Sequence, residues 1–178
     1  MSTGLASLAR SGSSYSGGWF SRLAPSRDWK VTNPDFKDLL AALSAAEVRF
    51  LIVGGYAVTY HGHPRFTKDL DVWVDRDGDS PQRVYSALES FGAPLADVTE
   101  ADFANPDVVY QVGVPPNRVD VLTSVSGVAF AQAWEQRVAS TYGGVPVHYM
   151  SKQDLIANKR SSGRPQDLID ADSLERSD

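Results

Sequence analysis

The chain contains no cysteine. That excludes disulfides and thiolate-held metals and agrees with a reducing compartment. No apolar run approaches the roughly 18 residues of a membrane span. The first residues also lack the apolar segment of a secretory signal. A cytoplasmic protein with no membrane contact is the expectation. No Gly-x-x-x-x-Gly-Lys-Ser/Thr stretch is present, so a Walker-type phosphate loop is ruled out. His148 has no Gly-x-Ser-x-Gly companion, and a serine-hydrolase reading fails with it. His61 and His63 are spaced like a metal pair, but no third ligand follows them, and a turn at Gly62 accounts for the segment. Acid is missing from residues 1–27, which hold Arg10, Arg22 and Arg27. Since the whole chain carries −5, residues 28–178 carry −8. So acidic a stretch is a poor non-specific partner for nucleic acid.

What is present divides into a tail and one domain. Residues 1–30 hold eight serines, several glycines and no sustained periodicity. Such a composition buries too little surface to order itself, although a Ser/Arg-rich, acid-free start also describes an organelle transit peptide. Residues 31–178 form the second unit, long enough to bury a core. With 42% apolar and 22% charged residues, the chain has an ordinary globular composition. Asn33-Pro34 reads as a helix cap followed by proline at the first helical position, and Phe36, Leu39, Leu40 and Leu43 recur at helical spacing. Strands are expected at 50–53, 69–75, 108–112, 118–122 and 145–150. Helices are expected at 56–61, from Ser80-Pro81 onward, at 127–140, from the Ser151–Asp154 capping box to about Arg160, and from Pro165 toward Leu174. The fold class that follows is α/β or α+β, a central mixed β-sheet flanked by helices.

Residues 50–74, FLIVGGYAVTYHGHPRFTKDLDVWV, carry the chemistry. An apolar strand runs into Gly54-Gly55 and then a helix, a turn whose backbone N–H groups suit phosphate. Glycine there also has a purely conformational explanation. In the strand that follows, successive side chains face opposite ways. Leu70, Val72 and Val74 therefore enter the core, while Asp69, Asp71 and Trp73 share the other face. Two carboxylates about 7 Å apart on one face call for a positive partner, and Mg²⁺ or Mn²⁺ is the natural one. Asp120, between Val119 and Val121, projects from its own strand opposite the core. If that strand neighbours 69–75, three acids converge. Such a patch suits two divalent ions about 3.5–4 Å apart beside a triphosphate, with Asp120 placed to accept a proton from the nucleophile.

In these residues the chain resembles the nucleotidyltransferase superfamily with the DNA polymerase β-like fold. The shared signature is a strand, Gly54-Gly55, a helix, Asp69-Leu70-Asp71 and the third carboxylate Asp120. Gly54–Val58, Gly62, Arg65 and Thr67 extend the likeness to small bacterial nucleotidyltransferases, among them the AbiEii-like toxins. Gly55 stands where serine is more common in the superfamily. That resemblance implies an enzyme taking ATP or another NTP with Mg²⁺ or Mn²⁺, moving a nucleoside monophosphate to an acceptor hydroxyl and releasing pyrophosphate. It also implies nucleotide contacts by Lys159, Arg164 and Asp167 in KRSSGRPQD, with Pro165 where a lysine is frequent. The acceptor stays open among an RNA end such as a tRNA, a protein side chain and a small hydroxylated molecule. A cognate toxin or antitoxin partner is a further possibility. So is a catalytically weak binding or antitoxin module on the same fold.

Individual residues keep two readings at this level. Arg65 holds phosphate or pairs with Asp69. Lys159 is a surface lysine or a triphosphate contact. Asp167 orients that base or meets a helix dipole.

Overall fold

A computed structural model of the protein describes residues 32–177, so the expectations for the 1–30 tail lie outside the described residues. Six strands form one mixed sheet, flanked by helices. In chain order the elements are α1 (Pro34–Ala45), β1 (Phe50–Ile52), α2 (Gly54–Tyr60), β2 (Asp69–Val74), α3 (Ser80–Phe91), a 3₁₀ helix (Glu100–Ala104), β3 (Val109–Val112), β4 (Arg118–Leu122), α4 (Phe130–Glu135), β5 (Val138–Tyr142), β6 (Val145–Tyr149), α5 (Lys152–Ser162) and α6 (Pro165–Arg176).

Local chemistry explains the helix starts. Asn33 accepts a hydrogen bond from the Asp35 N–H at 2.9 Å, with Pro34 opening α1. Ser151 does the same for the Asp154 N–H at 3.1 Å, satisfying one of the orphan donors at a helix start. α1 then buries Phe36, Leu39, Leu40 and Leu43, the helically spaced set. Its neighbours are α3 and β6, while α2 packs on β2 and α5, and α5 packs on α6.

The strand order is β3-β4-β2-β1-β6-β5. β2 lies antiparallel to β1 and parallel to β4, so the two acid-bearing strands are direct neighbours. Their register pairs Asp69 with Arg118 and Asp71 with Asp120. Leu70, Val72, Val119 and Val121 fill the opposite, buried positions, and this alternation pins the register.

Three expectations need correction. The 127–140 stretch is not one helix. Only 130–135 is helical, and 138–142 is β5, paired antiparallel with β6. Gly143 and Gly144 make the turn, with φ of 56° and 85°. Positive φ at both central positions is what a two-residue hairpin turn asks for. The glycine pair does not precede α2 either; both glycines sit in its first turn. Trp73 shares the face of Asp69 and Asp71 but is buried, with Phe130 edge-on at 5.0 Å. α4 thus closes one end of that face and leaves the acid end open. Among the described residues no helix is long and apolar enough to cross a membrane.

Candidate nucleotide site

The open end of the acid face is the floor of a cleft of about 490 Å³. All ten residues singled out from sequence line it: Gly54, Gly55, Arg65, Thr67, Asp69, Asp71, Asp120, Lys159, Arg164 and Asp167. They come from six segments spread over more than 110 positions, brought together by the β2–β4 pairing and by α5 and α6.

Gly54 has φ of +60°, and a Cβ built there would lie 2.0 Å from Asp71 Oδ2. The carboxylate can press against the turn only because no side chain is present. At Gly55 an added Cβ would lie 2.8 Å from Thr67 Cβ. Thr67 therefore fills the space that a serine at position 55 would need. The Thr67 hydroxyl is turned onto the Asp69 carbonyl, at 3.1 Å. Residues 65–69 alternate as an extended chain does, putting Arg65, Thr67 and Asp69 in the cleft and leaving Phe66 and Lys68 exposed.

Asp71 presses against the Gly54 turn. Burial pushes its pKa up to about 6, and repulsion from Asp120 and Asp69 adds to that. Lys159 and the Gly55 N–H, which donates to the carboxylate, pull the other way. Asp120 is also raised, by burial first, against the pull of Arg118. Oδ1 of Asp69 and Oδ1 of Asp120 are buried and accept no hydrogen bond. Crowded carboxylates with unsatisfied buried oxygens are a donor set suited to a hard divalent cation. The patch is not bare of positive charge, however. Arg118 reaches Asp69 Oδ2 at 2.6 Å and Asp120 Oδ1 at 3.0 Å. Among the described residues no three acidic or histidine side chains stand as a ready cation cage. The residues fit Mg²⁺ or Mn²⁺ by donor chemistry, provided Arg118 gives way.

The opposite wall is a network of ion pairs. Lys159 is 5% exposed, not a surface lysine. Its Nζ lies 2.5 Å from Asp167 and 3.6 Å from Asp170. Asp167 also accepts from Ser162 at 2.8 Å and from Arg164 Nε at 2.5 Å. Burial alone would raise its pKa, but these donors outweigh it and hold the carboxyl at about 2. Asp167 thus orients Lys159, one of its two expected roles, while starting α6 as a first-turn acid. Arg65 does not pair with Asp69; its Nη1 lies 2.5 Å from the fully buried Asp170. The cleft therefore carries four carboxylates (69, 71, 120, 167) and four cations (65, 118, 159, 164), so its lining balances internally.

A family model described as a nucleotidyltransferase of unknown function, DUF6036, matches residues 35–175. The chain belongs to this family. No curated protein matches it. Among solved structures, an antigenic nucleotidyltransferase-like protein from Paracoccidioides brasiliensis is similar at 20% identity, over 78% of this chain and 73% of that one, with a TM-score of 0.48. The antibiotic-resistance factor ANT(2'')-Ia is similar at 15% identity over 80% of each chain, with a TM-score of 0.49. Neither likeness bears on what this nucleotidyltransferase-family chain acts on.

Two residues of this family member escaped the sequence reading, Arg118 in the cleft lining and Asp170 buried behind it. Arg118 stands two positions before Asp120, so strand periodicity alone puts it on the acid face. Asp170 stands three positions after Asp167 and shares its side of α6. Both signals were local and present in the sequence; what the sequence could not give was the partner each side chain finds across the fold.

Proposed function

We propose that this chain transfers a nucleoside monophosphate from an NTP to an acceptor hydroxyl, releasing pyrophosphate, with Mg²⁺ or Mn²⁺ held by Asp69, Asp71 and Asp120. The observation that carries the reading is the β2–β4 register, which sets Asp71 beside Asp120 next to the Gly54 turn in a cleft. Membership of a nucleotidyltransferase family supports it. In the reaction, an acceptor oxygen bonds to the α-phosphorus and the bond to the β-phosphate oxygen breaks. The proton of the acceptor hydroxyl passes to the Asp120 carboxylate, whose raised pKa suits a base. Bound divalent ions supply charge neutralisation at the phosphates. The backbone of Gly54 and Gly55, whose side-chain space Asp71 and Thr67 occupy, borders the cleft where the phosphates would lie. Arg164, exposed at the rim, offsets triphosphate charge. Lys159, Arg65, Asp167 and Asp170 form the fixed wall against which the nucleotide lies. A cleft with balanced charges suits a triphosphate that arrives with its own cations.

The acceptor classes are an RNA end, a protein side chain or a small hydroxylated molecule, and a toxin–antitoxin role is compatible with the reading. Titration calorimetry with Mg-ATP and the other Mg-NTPs tests the reading. Metal-dependent binding that disappears in Asp69→Asn/Asp71→Asn is the expected result, followed by label transfer from an NTP to one acceptor in a cell extract. Absence of metal-dependent NTP binding by the wild-type chain refutes it. A second reading draws on one observation, the Arg118 ion pairs across two of the three acids: a catalytically weak binding or antitoxin module. That module would keep its partner in the double mutant and show no label transfer.

A further inference from the structure

A guanidinium sits where the metal reading wants only acids. Parallel pairing sets Arg118 opposite Asp69, and the two-residue step from Arg118 to Asp120 keeps both on the cleft face. The bond to Asp69 Oδ2, at 2.6 Å, is well formed. The contact with Asp120 is not. Arg118 Nε and Asp120 Oδ1 are 3.0 Å apart, yet neither atom makes a hydrogen bond, and the one bond between the two groups, from Nη2 to Asp120 Oδ2, is long at 3.5 Å. The close atoms are misaligned and the aligned atoms are far apart, so charge attraction here comes with only a weak directional bond. Three buried polar atoms, on Arg118, Asp69 and Asp120, are thereby left unsatisfied at one spot.

A pair built for stability would align its fork, since bidentate geometry is where Arg–carboxylate pairs gain most. This one neutralises two acids while satisfying neither fully. We propose that Arg118 is an internal counter-ion that competes with the divalent cation for Asp69 and Asp120. Loading the cation then requires the guanidinium to swing away on its flexible stem into the open cleft, where an incoming phosphate gives it a new partner. The inference rests on the reading of the three acids as cation holders. Its consequence is linkage: a cation alone must displace Arg118 uncompensated and binds weakly, whereas a cation arriving on a triphosphate binds well. Coupling of this kind is reciprocal, so the cation strengthens nucleotide binding by the same factor. Asp71 makes no part of the Arg118 pair, and it stays available as the first point of contact.

The test is Mn²⁺ alone, titrated into the full-length chain and followed by electron paramagnetic resonance, for wild type, Arg118→Gln and Arg118→Lys. Arg118→Gln is expected to bind Mn²⁺ about ten-fold more tightly than wild type, with Arg118→Lys in between. Equal or weaker binding by a folded Arg118→Gln overturns the inference and leaves the transferase reading standing. No Mn²⁺ binding by any of the three, nor any with an NTP present, removes both. Should Arg118→Gln fail to fold, the wild-type chain still decides. Its Arg118 Nε–H resonance, assigned by its absence from Arg118→Lys, should shift as Mg²⁺ is added. An unmoved resonance at saturating Mg²⁺ overturns the inference.

Discussion

Gly54 meets two separate demands, a backbone in the left-handed region and a carboxylate pressed against its α-carbon. Gly78 meets only the first, with φ of +63° and open space around it. The pair separates conformational cost from crowding. Gly78→Ala should cost about 1 kcal/mol, the penalty of a Cβ at positive φ. Gly54→Ala should cost roughly 2–4 kcal/mol, because Asp71 must also move. Urea denaturation of the two variants measures the difference; equal losses would show that Asp71 yields freely. The same crowding makes Gly54 legible in sequence: a glycine at a strand–helix turn one strand before an Asp-x-Asp has a steric reason to stay bare. Thr67 was legible only as part of a motif, since its packing on Gly55 depends on how the 61–68 segment folds back.

Among the elements, α2 is short, seven residues, and a side chain ties its C-terminal end to the end of β6. His61, just past its last turn, places Nε2 2.8 Å from the Met150 carbonyl at the end of β6. Burial pushes the His61 pKa below its usual value; the Met150 carbonyl opposes this and Lys152 adds to it. A histidine depressed in the folded state binds fewer protons there than in the unfolded chain. Its contribution is whole above the unfolded value, about pH 6.5, and is lost as pH falls below it. Between pH 7.5 and pH 5.5 His61→Gln should therefore lose less stability, or gain more, than wild type. Denaturation curves at the two pH values check this, and identical changes would contradict it. Of the elements, β5 was the one hidden in the sequence. Its inward positions include Ser140, buried at 6% exposure, so polarity does not alternate along it as in a half-buried strand. Phe130, Ala133 and Trp134 recur at helical spacing, a signal that does not mark where α4 ends. The Gly143-Gly144 turn was the stronger clue.

For the whole molecule, the order β3-β4-β2-β1-β6-β5 puts the acid-bearing β2 near the middle and β4 just beside it. β3 and β5 are the outer strands. Amide exchange should follow that order, with 70–74 and 51–52 among the last to exchange and β3 and β5 far sooner. Mass spectrometry of exchanging peptides reads this directly; early exchange in β2 would mean that the site opens without global unfolding. Strand neighbourhood was the part of the site that sequence left conditional, because pairing β2 with β4 in parallel takes contacts about 50 positions apart. The Arg65–Asp170 pair spans 105 positions and carried no local signal at all.

Because β2 and β4 run side by side with matched alternation, the ladder ties solubility of the core to placement of the acids. Slipping β4 by a single position would drive Asp120 into the apolar layer and turn Val119 and Val121 out to water. Misaligned copies of this chain would fail as folded proteins before they could persist with a mistuned cleft. Variation that alters its chemistry has to enter through side chains around the cleft, not through the spacing of the strands beneath it.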